Sequence, residues 1–284
     1  MRKKPIRAIT FDLWLTLIWD SKELEEYRKL RRLINFHRFV RRISGPRPST
    51  GKKSSSDKNP VTFNSLRLAM EELSVKVKEL YERNLDISSE ERGRMLFEIL
   101  GIKLASRKES IPVYSQAGRI LSDAGYLRRH PNLNPEAIPT LQQLKKNFPF
   151  LKVGLISNAA RSKRTYERLF SSLGIGPYFD SLTISSEVGY LKPRREIFEA
   201  ALKSLELNDP AEAMHVGDLF RADVVGATNS GMNALLYTGL WHRYAPDMAP
   251  GEHIPSSFRA PKELFVKEIS NLGQVVEIVK NFQS

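Results

Sequence analysis

Two rhythms of hydrophobic and polar positions divide the chain. After about residue 131, short apolar runs alternate with amphipathic stretches. A helix near 136–147 leads to the apolar run "LKVGLISN", one near 161–173 to "SLTISSE", one near 194–206 to "AMHVGDL", and one near 221–230 to "NALLYTG". Finally "ELFVKEIS" precedes a helical "LGQVVEIVKNF". Apolar strands separated by helices predict a parallel sheet covered on both faces. The opening run "RAITFDLWLTL" is also β-rich.

Residues 20–130 read differently, as helices without a convincing strand. Ser21 is placed to cap a helix with Glu23, Glu25 and Glu26 in its first turn, apolar positions Leu24, Tyr27, Leu30, Ile34 and Phe36, and Arg38, Arg41 and Arg42 at its end. A second helix is predicted from about Asn64 to Arg83, with Leu66, Met70, Leu73, Val77 and Leu80 on one face. "SSEE" at 88–91 predicts a capping box before "RMLFEIL", a helix that Gly101 ends, and another helix is expected within 111–125. "SGPRPSTGKKSSSDKNP" at 44–60 is expected to be a flexible basic loop, and "HPNLNP" at 130–135 a linker. The simplest architecture is an α/β, Rossmann-like core of residues 1–20 and 131–284. An all-helical cap, residues 21–130, is inserted after the first strand.

The 284 residues suffice for a sizeable core. No apolar run approaches the ~20 residues of a membrane span, and no cleavage site follows the short N-terminal apolar run, so neither a membrane partner nor a signal peptide is expected. The chain has no cysteine, which excludes disulfides and thiolate chemistry and suits a cytoplasmic protein. The net charge is +13, and residues 1–60 hold sixteen Lys and Arg against six Asp and Glu. Nucleic acid is one reading of that excess, but a solvated basic surface is favoured. His37, His130, His215, His242 and His253 are scattered, none at metal-ligand spacing with another, and receive no role.

In a parallel α/β sheet ligands gather at the C-terminal strand ends. Those ends carry Asp12, then Ser157 and Asn158, then Lys192 before a helix that Pro193 can start, then Gly217, Asp218 and Asp223. A carboxylate can attack phosphorus, clustered acids can hold Mg²⁺, and a hydroxyl and a lysine can offset phosphoryl charge.

In this order "FDLWLTL", "LISN", "YLKP" and "VGDLFRAD" resemble the four motifs of the haloacid dehalogenase superfamily, over about residues 5–20 and 131–284. The helical insert matches that family's cap in position. The resemblance implies that Asp12 is the nucleophile and Lys192 its stabilising cation. It implies that Ser157 binds the transferred group beside Asn158, and that Thr16 fills the usual Thr or Val position of the first motif. The metal site would comprise Asp12, the backbone carbonyl of Trp14, Asp218 and the supporting Asp223.

The departure is Trp14. Phosphatases of the family usually place an aspartate there as general acid and base, help worth on the order of 10²- to 10⁴-fold, and an indole N–H cannot release a proton at ordinary pH. Dehalogenating members have Tyr there, since a halide leaves unprotonated, but they work without metal and lack the double-acid fourth motif. Their cap supplies an arginine, for which Arg28, Arg31, Arg32, Arg38, Arg41 and Arg42 are candidates. The expectation is therefore a Mg²⁺-dependent phosphatase acting on a small anionic phosphate ester through an aspartyl-phosphate. A metal-independent 2-haloacid dehalogenase is the first alternative. A catalytically weak member binding a phosphorylated ligand or nucleic acid through its basic cap is the second.

Overall fold

The computed structural model describes residues 4–44, 61–104, 107–123, 129–244 and 252–283. The basic Ser-rich stretch lies, apart from Ser44, outside them. Strand β1 (Ala8–Phe11) is followed by the two-residue β2 (Ile18–Trp19). Four helices come next: α1 (Lys22–Ser44), α2 (Phe63–Glu82), α3 (Ser89–Ile99) and α4 (Arg107–Asp123). The chain returns through β3 (Asn132–Leu133). It then runs α5 (Ala137–Asn147), β4 (Lys152–Ser157), α6 (Lys163–Ser172), β5 (Ser181–Ile184), the single turn α7 (Ser185–Val188) and α8 (Arg195–Ser204). Strand β6 (Ala213–Gly217), a π-helical turn at Phe220–Val225, α9 (Gly226–Asn229), β7 (Asn233–Tyr237), α10 (Gly239–Tyr244), β8 (Val266–Ile269) and α11 (Gln274–Gln283) complete it.

The main sheet is six-stranded and parallel, ordered β5-β4-β1-β6-β7-β8. Counting only these strands along the chain, the order is 3-2-1-4-5-6, the doubly wound Rossmann-like arrangement. Chain order reverses between β1 and β6, so the crevice for a ligand opens beyond their C-terminal ends. Side chains alternate between faces as the pleat requires. Ile9, Phe11, Val153, Leu155, Met214, Val216, Leu235 and Tyr237 join a core with residues of α5, α6 and α11. Ala8, Ile156, Ala213, Ala234 and Leu236 join another with Ile197, Phe198 and Ala201 of α8.

Helices α1–α4 build a hydrophobic cluster of their own around Phe36, Phe39, Leu66, Leu73, Leu96, Phe97 and Ala117. Helices α3 and α4 touch backbone to backbone. A Cβ added to Gly118 would sit 1.6 Å from the Ser89 carbonyl oxygen, and one added to Gly93 would sit 2.2 Å from that of Tyr114.

Four local expectations are corrected. The linker at 130–135 contains β3, which pairs antiparallel with β2, so the chain leaves and re-enters the helical segment through a two-stranded neck. At 88–91 only half of a capping box forms. Ser88 accepts from the Glu91 N–H at 3.1 Å, but the Glu91 carboxylate turns to Arg94, whose charged guanidinium is the stronger donor. Leu30, placed on the apolar face of α1, is 54% exposed, while Phe36 is buried as expected and is joined by Phe39 and Val40. Helix α8 begins at Arg195, and Pro193 follows a cis Lys192–Pro193 bond outside it.

Candidate active site

The end of β1 fixes Asp12. Its N–H donates to the Val216 carbonyl at 2.8 Å, continuing the β1–β6 ladder, and its side chain is buried. The chain then turns sharply. Leu15 takes a left-handed φ of 56°, and its N–H reaches the Ile18 carbonyl at 2.7 Å. A non-glycine residue held there costs on the order of 1–2 kcal/mol, strain placed three residues after the candidate nucleophile.

The structure brings Lys192 to Asp12. Its buried Nζ donates to Asp12 Oδ1 at 2.5 Å and to Asp223 Oδ1 at 2.6 Å. The loop that carries Lys192 is held from the neighbouring strand end. The Asn158 amide accepts from the Lys192 N–H at 2.7 Å and donates to the Lys192 carbonyl at 3.1 Å. Asn158 therefore positions the lysine. Ser157 and Thr16 are buried, and neither hydroxyl oxygen has a hydrogen-bond partner among the described residues. Unsatisfied buried hydroxyls are unusual, and one at the end of β4 fits a hydroxyl kept for a ligand.

Asp223 is pinned on every side. Besides Lys192, Oδ1 accepts from His215 Nε2 at 3.0 Å, and Oδ2 accepts from the Leu219 N–H at 2.9 Å. Its close approach depends on Gly217, where an added Cβ would lie 2.2 Å from the Asp223 carboxyl carbon. Because a carboxylate only accepts, His215 carries its proton on Nε2, and Nδ1 accepts from the Thr10 hydroxyl at 2.8 Å. Burial above all pushes the His215 pKa down, keeping the ring neutral. The spacing of the histidines assigned His215 no role, and the structure makes it the support of Asp223. The available signal was its place on β6, two residues before Gly217.

Asp218 Oδ2 accepts from the Trp241 indole N–H of α10 at 2.9 Å, a contact nothing in the local sequence indicates. Three buried carboxylates thus stand around one buried lysine, which bonds two of them, Asp12 and Asp223. Burial, Lys192 notwithstanding, raises Asp12 to about 6, with the Asp223 charge adding to the rise. Burial, and then the charges of Asp12 and Asp223, push Asp218 well above the ordinary carboxylate range. Burial would raise Asp223 too, but Lys192 and His215 together hold it below that range. Lys192 is driven the other way: Asp12 and Asp223 raise it against its desolvation. This surplus of negative charge is the environment a divalent cation relieves.

Among the described residues no three Asp, Glu or His side chains form a cage able to hold a metal by themselves. Mg²⁺ does not ask for one, since it keeps waters and takes one or two carboxylates plus substrate oxygens. Asp12, Asp218 and a backbone carbonyl suit it, whereas both oxygens of Asp223 are already engaged.

A family model described as haloacid dehalogenase-like hydrolase matches residues 6–231. The chain belongs to this family. Among curated relatives, a glyceraldehyde 3-phosphate phosphatase of Methanothermobacter thermautotrophicus is 31% identical over 169 residues, 55% of this chain and 72% of that one. The pyrimidine 5'-nucleotidase YjjG of Escherichia coli is 32% identical over 135 residues, 47% and 56% of the two chains. Two solved structures share the fold. A 2-haloacid dehalogenase from Pseudomonas syringae has a TM-score of 0.58 at 22% identity, covering 98% of this chain and 99% of that one. A HAD phosphatase from Thermococcus onnurineus has a TM-score of 0.52 at 19% identity, covering 97% and 99%. The chain is a hydrolase of this haloacid dehalogenase-like family, and none of its described helices is long and apolar enough to cross a membrane.

Helices α1–α4 meet this site from outside the sheet. The Asp86 N–H donates to the Gly189 carbonyl and the Leu191 N–H to the Asn84 carbonyl, both at 3.0 Å, forming a bridge next to Lys192. The buried Asp86 carboxylate pairs with Arg92 and accepts from Ser185 Oγ at 2.6 Å, while Ser185 Oγ accepts from the Ala159 N–H at 2.8 Å. Ser89 and Ser122 hydroxyls both donate to the Ala160 carbonyl at 3.1 Å. The helical segment therefore grips the loop that follows Ser157 and the loop that carries Lys192.

Proposed function

We propose that this hydrolase is a Mg²⁺-dependent phosphatase of small phosphorylated molecules, with residues 21–130 as its cap and Asp12 as nucleophile. The observation that carries the reading is Lys192 Nζ shared between Asp12 and Asp223 at the strand-order reversal, with Asp218 alongside. Relatives named as phosphatase and nucleotidase support the substrate class.

In this mechanism an Asp12 carboxylate oxygen attacks phosphorus, and the bond from phosphorus to the ester oxygen breaks with its electron pair leaving on that oxygen. The resulting aspartyl-phosphate is then cleaved by water at phosphorus, returning the carboxylate and inorganic phosphate. Lys192 holds Asp12 in place and, with Ser157, balances charge on the transferred group. Mg²⁺ held by Asp12, Asp218 and the Trp14 carbonyl would neutralise phosphoryl oxygens when bound. Trp14 gives the leaving oxygen no proton, so the proton comes from solvent and good leaving groups react fastest.

Trp14 is also the observation that favours a second reading, dehalogenation, because a halide needs no proton. The intact Asp218, fixed by Trp241, counts against it, since dehalogenation has no use for a metal. Phosphate and halide release from phosphomonoesters and 2-chloropropionate, each with Mg²⁺ and with EDTA, separates the two. Mg²⁺-dependent phosphate release is expected. No phosphate release under either condition refutes the phosphatase reading, and halide release that persists in EDTA supports the other.

A further inference from the structure

The short stretch after Asn158 runs straight out of the strand end that carries Ser157, and side chains hold its backbone. The Ala159 N–H donates to the Ser185 hydroxyl at 2.8 Å. The one proton of that buried hydroxyl goes to Asp86 Oδ2 at 2.6 Å, the Ala159 carbonyl lying at 3.5 Å. Asp86 comes from the turn between α2 and α3, and its other oxygen pairs with the buried Arg92. The Ala160 carbonyl accepts from the hydroxyls of Ser89 and Ser122, both at 3.1 Å. Spacing explains that fork. Gly118 and Ser122 are one helical turn apart on one face of α4. The bare Cα of Gly118 lets α4 come down on Ser89, which sets Ser122 beside it. The two hydroxyls then converge on a carbonyl that has two lone pairs to receive them.

The held stretch adjoins two groups of the site. Ala159 lies two residues after Ser157, whose buried hydroxyl has no partner among the described residues. It lies next to Asn158, whose amide clasps both backbone groups of Lys192. From the other side, the bridge of Asn84 and Asp86 to Leu191 and Gly189 borders Lys192 directly. Asp86 thus reaches one loop with its side chain and the other with its backbone. A displacement of the helical segment would carry Ser157 and Lys192 with it. A misplacement of about 1 Å at groups that orient a reaction can cost on the order of 100-fold in rate.

We propose that Asp86, Ser89 and Ser122 are positioning residues for phosphoryl transfer. Seated on the sheet, the helical segment sets the Ser157 hydroxyl and the Lys192 ammonium through the backbone of Ala159 and Ala160, without touching the substrate. This rests on the phosphatase reading above and adds that the helical segment acts on the transferred-group end of the site. Esters too small to reach that segment therefore depend on it as well.

The test follows p-nitrophenyl phosphate turnover per folded enzyme and its inhibition by orthovanadate, whose five-coordinate form resembles a phosphoryl group in transfer. Ser185→Ala cuts the link to Ala159 and leaves the Asp86–Arg92 pair in place, and Ser89→Ala with Ser122→Ala empties the fork. Each should lower kcat about tenfold with KM changed less than about threefold, and raise the vanadate inhibition constant about tenfold. Ser89→Ala with Ser122→Thr, which keeps one hydroxyl, should recover part of the loss. Asp86→Asn added to Ser185→Ala should lower kcat no further, because both lie on one path. Multiplied effects of that pair would put Asp86 off the path and overturn the proposal. So would lower melting temperatures with kcat and vanadate inhibition unmoved, or a loss carried by KM alone. Absence of turnover in the unsubstituted enzyme would strike the phosphatase reading instead. Hydrogen exchange then decides the positioning. Faster exchange at 157–161 in both variants, with β6 and β7 unchanged, supports it, and unchanged or uniformly faster exchange overturns it.

Discussion

Replacing Lys192 by Met keeps an unbranched side chain one atom shorter and removes the charge. Lys192 Nζ lies 2.5 Å from Asp12 Oδ1 and 2.6 Å from Asp223 Oδ1, in buried surroundings. For charge centres about 4 Å apart and an effective dielectric constant of about 20, the attraction on Asp12 is about 4 kcal/mol. That corresponds to about 3 pKa units. Asp12, at about 6 with the lysine present, would then titrate near ~9. At pH 7 its ionised fraction would fall from about nine-tenths to about one-hundredth, so ionisation alone lowers kcat/KM about 100-fold. The sign matters: the loss is greatest at low pH and recovers as pH rises through the new pKa. The assay is kcat/KM for p-nitrophenyl phosphate between pH 5 and 10 at saturating Mg²⁺. Mg²⁺ bound at Asp12 would lower the acid limb in both enzymes, so the displacement between them is what is read. A displacement of two to three pH units toward alkali is expected, with a lower plateau from lost charge balance on the phosphoryl group. Breaking buried pairs can cost about 3–5 kcal/mol, so melting temperatures are compared first, and Lys192→Arg, which keeps the charge, should leave the limb near its wild-type position. An unmoved acid limb with a uniformly depressed rate would refute the claim that Lys192 keeps Asp12 ionised.

Trp14→Asp should speed hydrolysis of alkyl phosphates relative to p-nitrophenyl phosphate by about 10²-fold, the low end for general acid catalysis, because Arg161 beside that position would hold a carboxyl ionised. The slope of log kcat/KM against leaving-group pKa should flatten, and an unchanged slope would show that the leaving oxygen is protonated elsewhere. Mg²⁺ affinity should fall as pH drops through about 6, since burial raises both Asp12 and Asp218 and the cation needs them ionised. Calorimetry in buffers of different ionisation enthalpy should show more protons released on binding at pH 6 than at pH 8, and pH-independent affinity would contradict this. Asp86→Ala leaves Arg92 buried without its carboxylate and Ser185 with only the Ala159 carbonyl, at 3.5 Å, to donate to, at a cost of about 3–5 kcal/mol. Hydrogen exchange should then accelerate at 84–92 and 185–191 before the sheet is affected, whereas uniform acceleration would mean that the bridge is not a local tie.

Much of the fold was legible because its signals are local. Apolar runs bounded by amphipathic stretches placed the six sheet strands, and Ser21, Ser88 and Gly101 marked helix ends by capping chemistry that acts within four residues. The exceptions are also physical. Strands β2 and β3 are two residues each, too short to carry a period, and exist through pairing with one another. The helix expected at 221–230 opens as a π-turn, in which Asp223 swings against Gly217 to meet Lys192 and His215. A hydrophobic pattern does not encode that approach.

The sequence by itself determined the α/β class, helices within the described part of residues 20–130, and the order in which acid, hydroxyl and lysine follow the strands along the chain. Residue type and order along the chain settle these, because strand ends in a parallel sheet share one edge whatever the packing. Only the tertiary structure decided that Lys192, 180 residues from Asp12, is shared between Asp12 and Asp223. It alone brought in His215 and Trp241 as supports and tied Asp86 to the Ser185 network. Each of these is a contact between side chains from elements distant in sequence. Such contacts follow from how the helices seat on the sheet and on one another, so no local window of the sequence contains them.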